Sequence, residues 1–262
     1  MKQLLKTIFN QLPFSLRYII KKNIFQRIDE VEIVHEILKS KKGLMIDVGA
    51  HFGSSLDSFM NDGWEVHAFE PDSKNRQKLL ERIKGKSNVS LSTEAVTNQS
   101  GLELSFYTSE ISTGISGLSS FHASHKEVDK VKTITLKDYI NKSKIKAIDF
   151  LKIDTEGHDL FVLQGFDWEN HIHPEVIVCE FEDKKSLPLG YSTNDMIAFL
   201  KSMGYRMILS EWYPIIEYGN NHKWKQFLSI EKKCFLNESS WGNIIAFKGL
   251  SKSTSKYFNI SN

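Results

Sequence analysis

The sequence predicts an open α/β fold built on a mostly parallel sheet, and three observations carry that prediction. From residue 43 onward, apolar strand segments alternate with helical segments, the order of successive β-α-β units. The first of these strands runs into a glycine turn: residues 43–53 read Gly-Leu-Met-Ile-Asp-Val-Gly-Ala-His-Phe-Gly. A later strand ends in two acids and a glycine, with 151–157 reading Leu-Lys-Ile-Asp-Thr-Glu-Gly. Folds of this kind bind ligands at the carboxyl edge of the sheet, so these two strand ends mark a candidate site.

In chain order, residues 1–41 read as helical. Leu4, Leu5, Ile8 and Phe9, then Ile19, Ile20, Ile24 and Phe25, return at three- and four-residue steps, and Pro13 breaks the stretch into two helices. A helix pair packed on the core is the expectation. The basic, apolar mix also suits peripheral contact with an anionic membrane surface through residues 1–25, although Asp29, Glu30, Glu32 and Glu36 dilute its charge. Strand 44–48, helix 53–61, strand 65–70, helix 73–84 and strand 88–92 follow. Residues 102–107 alternate as an extra strand or hairpin arm, and 108–124, rich in Ser and Gly, have the composition of a mobile loop.

Extended character resumes at 131–136, a short helix fits 136–141, and strand 148–153 carries the acidic end. A helix over 158–164 stops at Gly165. Residues 175–181 form a nearly continuous apolar run, as a buried parallel strand requires. Residues 192–203 read as an amphipathic helix, with Ser192 or Thr193 as cap and Gly204 as stop. Residues 205–210 and 243–248 read as an antiparallel closing pair around an insertion that holds Trp212, Tyr213, Tyr218, Trp224 and Trp241. The expected organisation is a helical extension (1–41), one α/β unit (42–250) and a frayed tail (251–262).

The glycine turn separates two cofactor classes. A dinucleotide site needs Gly-x-Gly-x-x-Gly, and counted from Gly49 its second and third glycines fall on His51 and Ser54. The acid before the turn, Asp47, suits a cationic, amino-acid-bearing cofactor better than a diphosphate, which points to S-adenosylmethionine. Strand 65–70 delivers Glu70 seventeen residues after Gly53, the place of an acid that accepts hydrogen bonds from ribose hydroxyls. Glu94, Ala95 and Val96 follow the third strand as a candidate adenine wall.

Composition narrows the classes further. The chain has 262 residues, a net charge of +2 and 40% hydrophobic residues, so a sizeable core is available and nothing demands a polyanion. Its two cysteines, Cys179 and Cys234, form no Cys-x-x-Cys pair, which disfavours a disulfide framework and a zinc site. Lys6, Asn10 and Gln11 interrupt any signal-peptide core, and no run of about eighteen apolar residues exists. A cytoplasmic location is the resulting expectation.

These motifs resemble the FkbM-type methyltransferases of the class I S-adenosylmethionine-dependent fold. The matching pieces are 46–53 (Ile-Asp-Val-Gly-Ala-His-Phe-Gly), Phe69-Glu70-Pro71, residues 131–139 and, most specifically, 150–159 with its Lys-Ile-Asp-x-Glu-Gly core. Two departures stand out: His51 where the family usually has Asn, and Asp159 where it often has Glu. His51 can still donate a hydrogen bond to the cofactor, while Asp159 is expected to alter substrate contacts. The resemblance implies a Rossmann-like, mostly parallel seven-stranded sheet with an antiparallel closing strand, and O-methylation of a hydroxyl on a sugar, glycan or related metabolite. The expected cofactor set is Asp47, Gly49, His51, Gly53, Glu70, Pro71, Glu94, Ala95 and Asp154.

Methyl transfer to a hydroxyl needs an aligned acceptor and a group to take its proton. Asp154 and Glu156, two apart, point to one side of an extended chain, and one of them is the expected base or acceptor-orienting group. Glu180 ends the neighbouring strand and ranks next, followed by His158 at the helix start. Asp154 and Glu180, 26 apart, invite comparison with metal-assisted catechol-type methyltransferases, but Phe181 stands where those place an Asn ligand, so no metal ligand is assigned. Ser116-Gly117-Leu118-Ser119-Ser120 is a candidate cover for the acceptor. The competing readings are a nucleic-acid methyltransferase, disfavoured by Asp154-Thr155-Glu156-Gly157 and by acids that repel phosphates, and a non-catalytic binding or membrane-associated scaffold. The acceptor's identity and the oligomeric state stay open.

Overall fold

The computed structural model describes residues 9, 11–170, 172–218, 222–230, 236, 239–249, 257 and 258. Leu4, Leu5, Ile8 and Cys234 lie outside these residues. The first elements with both bounds among the described residues are α1 (Phe14–Asn23), which starts directly after Pro13, and α2 (Glu30–Leu38), capped by Asp29. Then follow β1 (Leu44–Val48), a 3-10 turn (Ser54–Leu56) leading into α3 (Asp57–Asn61), β2 (Glu65–Phe69), α4 (Ser73–Arg82), β3 (Val89–Ser92) and β4 (Ala95–Val96). The middle comprises β5 (Glu103–Ser109), β6 (His125–Ile134), α5 (Leu136–Ser143), β7 (Phe150–Ile153), α6 (Asp159–Gln164) and β8 (Val176–Glu182). The chain closes through α7 (Asp183–Ser186), α8 (Thr193–Ser202), β9 (Arg206–Trp212), β10 (Trp224–Ser229) and β11 (Trp241–Phe247).

The main sheet runs β10-β9-β11-β8-β7-β1-β2-β3. Its β8-β7-β1-β2-β3 half is parallel, and β11 enters antiparallel between β8 and β9. The expected parallel sheet with an antiparallel closing strand is present. The count differs by one, because the aromatic insertion contributes β10, which pairs antiparallel with the outer edge of β9. Pairing there satisfies an edge that would otherwise leave backbone groups open. A second sheet, β4-β6-β5, projects from the segment between β3 and α5.

Both faces of the sheet are covered, which explains why β1 is buried at every position. Leu44, Ile46 and Val48 pack with α5, α6 and α8, while Met45 packs with α2, α3 and Trp64. Residues 108–124 do not run free. Gly117 exchanges two backbone hydrogen bonds with Tyr107 (2.8 and 2.9 Å), folding the segment over the sheet end. Gly165 ends α6 at φ −76°, outside the left-handed region; glycine is needed because a Cβ would strike the Thr97 carbonyl oxygen. The expected fraying of the tail fails at Phe258, which is 1% exposed and packs on Phe227 and Phe247.

The expected helix pair divides at Pro13, but α1 and α2 both follow it, separated by residues 24–29, and most of 1–12 lies outside the described residues. α2 buries Ile33, Val34 and Leu38, whereas α1 has no buried residue and leaves Ile19 exposed. A polar contact adds to this apolar anchoring of α2: buried Glu30 accepts hydrogen bonds from Ser210 Oγ (2.6 Å) and Trp212 Nε1 (2.9 Å) on β9. A Glu30→Ala variant leaves two donors unpaired and is expected to cost about 1–3 kcal/mol, read as a lower denaturant midpoint with unchanged slope.

Candidate active site

The carboxyl ends of β1, β2, β7 and β8 open onto one cleft of about 260 Å³. The register of β1 against β7 aligns Val48 with Ile153, and Asp154 N donates to Val48 O at 2.9 Å. Gly49 therefore lies against the Asp154 backbone; its φ is +84°, and a Cβ there would run into the Asp154 carbonyl oxygen. Gly49 N and Ala50 N both donate to Phe69 O (3.1 and 2.9 Å), which hangs the glycine turn on the end of β2.

The next residue, His51, takes φ +50° and turns its backbone N–H onto Glu70 Oε2 at 2.7 Å; Asp72 N donates to Glu70 Oε1 at 2.8 Å. Glu70 is 4% exposed and lines the cleft. Burial pushes its carboxyl up to about 8, against the pull of these two backbone donors. Pro71, Glu94, Ala95 and Val96 continue the same wall. The structure thus brings together Gly49, His51, Glu70, Pro71, Glu94, Ala95 and Asp154 from the expected cofactor set.

Two members of that set lie off the cleft. Asp47 is fully buried, accepts from Ser55 Oγ and pairs with Lys152 Nζ at 3.1 Å; the same ammonium reaches Gly49 O (3.4 Å) and Asp154 Oδ2 (3.5 Å). Burial opposes the charge on Lys152, but Asp47 and Asp154 outweigh it and hold the ammonium above its ordinary value. Asp47 therefore acts on the turn and on Asp154 through Lys152. Gly53, at φ +76°, seats α4: a Cβ would strike Leu79 Cδ1 and stand 3.2 Å from Arg82 Cδ.

On the other side of the cleft, oxygens of Asp154, Glu156 and Glu180 lie within 4.8 Å of one another. Strand alternation does not achieve this. β7 ends at Ile153, and Glu156 takes φ +55°, so a left-handed turn swings its carboxylate toward β8. Asp154 has the freest carboxylate, with 43% side-chain exposure against 11% for Glu156 and 12% for Glu180. Burial lifts Glu156 to about 7, opposed by the Lys185 ammonium 2.6 Å from its Oε2. Glu180 is raised well above the carboxylate range, again chiefly by burial.

His158 lines the cleft and shares a hydrogen bond with Ser119 Oγ at 2.7 Å; burial lowers it to about 4, so it is a neutral imidazole near pH 7. Asp159, expected at the substrate, lies outside the lining: it is 1% exposed, accepts from Thr155 Oγ1 (3.1 Å) and Glu180 N (3.2 Å), and burial raises it to about 7. The 108–124 segment supplies the roof. Thr113 Oγ1 meets His51 Nε2 at 3.0 Å, Asn75 Nδ2 donates to Thr113 O at 3.4 Å, and Gly117 packs against Glu156.

Sequence reading missed Lys185, Glu182 and Asn75. The one available signal was the Glu-Asp-Lys-Lys run over 182–185, directly after a buried strand; Asn75 sits in an ordinary helix and carries none.

The raised carboxyls set the pH response of the cofactor-free protein. Glu156, Asp159 and Glu70 each bind a proton more tightly folded than unfolded. The stability this gives is full below the unfolded carboxylate value and is lost as pH rises through about 7 and then about 8. His158 contributes oppositely, with stability present above its ordinary 6.5 and lost as pH falls through about 4. The melting temperature is expected to fall between pH 6.5 and 8.5; thermal melts across that window test it, and a rise contradicts it.

An acidic, glycine-turned cleft at the carboxyl edge of a parallel sheet, closed by an antiparallel strand, defines an α/β methyltransferase architecture. Residues 47–207 match the Methyltransferase FkbM domain, more than half of the chain, and the protein belongs to that family. S-adenosylmethionine is the cofactor the family implies, and a cleft lined by Gly49, buried Glu70, Ala95 and Val96 offers the polar and apolar surfaces that such a group requires. No curated protein matches the chain significantly.

Among solved structures, precorrin-6y C5,15-methyltransferase from Geobacter metallireducens is 13% identical, with a TM-score of 0.44 over 83% of this chain and 87% of that one. An rRNA methylase from Streptococcus thermophilus is 9% identical, at 0.43 over 84% and 97%. A Streptococcus mutans protein in complex with SAH is 12% identical, at 0.44 over 84% and 99%.

Proposed function

We propose that this protein transfers a methyl group from S-adenosylmethionine to a hydroxyl of a sugar, glycan or related metabolite. The observation that carries the reading is the convergence of Asp154, Glu156 and Glu180 on the cleft that Gly49 and Glu70 also line. The cofactor supplies an electrophilic methyl group on a sulfonium. This chain's own residues bind, orient and deprotonate.

Glu70 would receive the ribose hydroxyls, Gly49 and the neighbouring turn would hold the amino-acid portion, and Glu94 with Ala95 would flank the adenine. Asp154 orients the acceptor hydroxyl. Glu156, whose carboxyl is lifted to about 7 by burial, would take the hydroxyl proton as the methyl carbon passes from sulfur to oxygen and the cofactor leaves as its neutral thioether, and Glu180 and His158 complete the acceptor wall. A group titrating near the working pH is the most effective base. The lining carries the carboxyl groups of Glu70, Glu94, Asp154, Glu156 and Glu180 and no lysine or arginine, so it offers phosphates no cation, which speaks against a nucleic-acid acceptor. Among the described residues no helix is long and apolar enough to cross a membrane. We take 42–250 as the catalytic unit and 1–41 as its helical extension.

The test begins with calorimetric titration of S-adenosylmethionine, S-adenosylhomocysteine and, as control, NAD. Micromolar binding of the two sulfur ligands alone is expected. If ribose hydroxyls donate to Glu70, its ionised form is favoured and a proton leaves on binding at pH 7, so the apparent enthalpy depends on the buffer. Glu70→Gln should abolish that dependence and weaken binding; buffer-independent enthalpy removes Glu70 from the ribose. A panel of glycosides with methyl-labelled cofactor then tests the acceptor class. Binding without transfer to any hydroxylated acceptor would favour a non-catalytic scaffold.

A further inference from the structure

Lys185 is enclosed by carboxylates of the acceptor side. It sits in α7 and is 3% exposed. Its Nζ lies 2.6 Å from Glu156 Oε2, 2.9 Å from Glu182 Oε2, and 3.0 and 3.2 Å from the two oxygens of Glu180. The Phe121 ring covers it at 5.4 Å from the centroid, a favourable seat for an ammonium. Glu156 Oε2 and Glu182 Oε2 accept no hydrogen bond from the described residues and are satisfied by this ion pair. Burial opposes the charge on Lys185, but the three glutamates outweigh it and hold the ammonium well above its ordinary value.

The backbone also fixes the arrangement. Gly157 (φ +98°) turns the chain directly onto α7, where a Cβ would stand 3.0 Å from Lys185 Cβ. The turn bearing Glu156 is thereby pressed against the helix bearing the ammonium. Asp154, Glu156 and Glu180 have the mutual spacing of cation ligands, and two of the three already hold Lys185.

We infer that Lys185 is the resident cation of this cluster, a positioning residue whose ammonium gathers Glu156 and Glu180 at the acceptor side and fills the place a divalent ion would take among the carboxylates. The placement stands on geometry alone; its consequence for turnover rests on the methyl-transfer reading. Without the ammonium, the clustered carboxylates repel one another, and a divalent cation becomes the group that can reunite them.

The experiment titrates Mn²⁺, followed by electron paramagnetic resonance, into the wild-type protein, Lys185→Met, Lys185→Arg and the Lys185→Met/Glu180→Gln double variant, with thermal melts to verify folding. Folded Lys185→Met is expected to bind one Mn²⁺ roughly tenfold or more tighter than wild type, within the range of carboxylate sites. The double variant loses that site, and Lys185→Arg behaves as wild type. A folded Lys185→Met that gains no binding overturns the inference. If that variant does not fold, wild type and Glu180→Gln decide: tight wild-type binding abolished by Glu180→Gln overturns the inference, and its absence supports it.

S-adenosylmethionine titrated into the same samples separates the two readings. Failure of wild type to bind it sinks the methyl-transfer proposal, while the Mn²⁺ results still judge Lys185. On an acceptor that is methylated, Lys185→Met should lower kcat by roughly tenfold or more with the KM for cofactor unchanged, and Lys185→Arg should restore part of the loss.

Discussion

Replacing Glu156 by glutamine or Asp154 by asparagine is expected to reduce methyl transfer by roughly 10²–10⁴-fold while the cofactor dissociation constant changes far less. Both substitutions preserve size, so the loss isolates the charge. For Glu156→Gln the acceptor hydroxyl loses the group that receives its proton. For Asp154→Asn it loses a charged acceptor of its hydrogen bond, and Lys152 loses one of its two carboxylate partners. Glu156→Gln also removes one carboxylate from Lys185, but Glu180 and Glu182 remain within 3.0 Å of it, so the ammonium stays paired. Cofactor titrations and turnover measured on the same preparations distinguish the two effects. Unchanged rates for both variants would sink the assignment of this cluster.

Gly49→Ala should produce the largest structural effect of any small substitution in the site. Two penalties coincide there: a left-handed φ of +84° and a Cβ driven into the Asp154 carbonyl oxygen. Backbone strain of this kind costs about 1–3 kcal/mol by itself, and relief of the clash requires β1 and β7 to separate where Val48 accepts from Asp154 N. A total of about 3 kcal/mol corresponds to a fall of about 6–12 °C in melting temperature for a domain of this size. Cofactor binding should fall with it, because the turn that carries His51 N to Glu70 shifts. Gly85 is the internal control: its φ is +78°, but a Cβ meets nothing within 4 Å. Gly85→Ala should cost only about 1 kcal/mol and leave binding intact. Equal effects at the two positions would refute the close-approach argument.

The sequence made several features of the site legible through local signals. A strand, an acid and two glycines four apart identify a tight turn wherever they occur; Glu70 follows from its distance to that turn, and Glu94 from its place after the third strand. The Lys-Ile-Asp-x-Glu-Gly piece carried both the strand end and the family likeness. The role of Asp47 was not legible. Its motif position suggested a cofactor ligand, but whether a side chain at a strand end faces the cleft or the layer beneath depends on its partner, and that partner, Lys152, lies 105 residues away. The composition of 108–124 was read as mobile because Ser and Gly are common in loops. The Tyr107–Gly117 bridge and the contacts of Thr113 and Ser119 that make it a roof join residues that no local pattern links.

By itself the sequence determined the order of strands and helices, the parallel sheet, the turn after β1 and the family, because these follow from hydrophobic period, turn chemistry and motif spacing within short windows. Only the tertiary structure decided which charges meet: Asp47 with Lys152, Glu156 with Glu180, and Lys185 among three glutamates. It also decided that the aromatic insertion adds an eighth strand. The physical reason is that burial and Coulomb interactions depend on distances set by sheet order and register, which bring together side chains from β7, β8 and α7 that are separate in the chain.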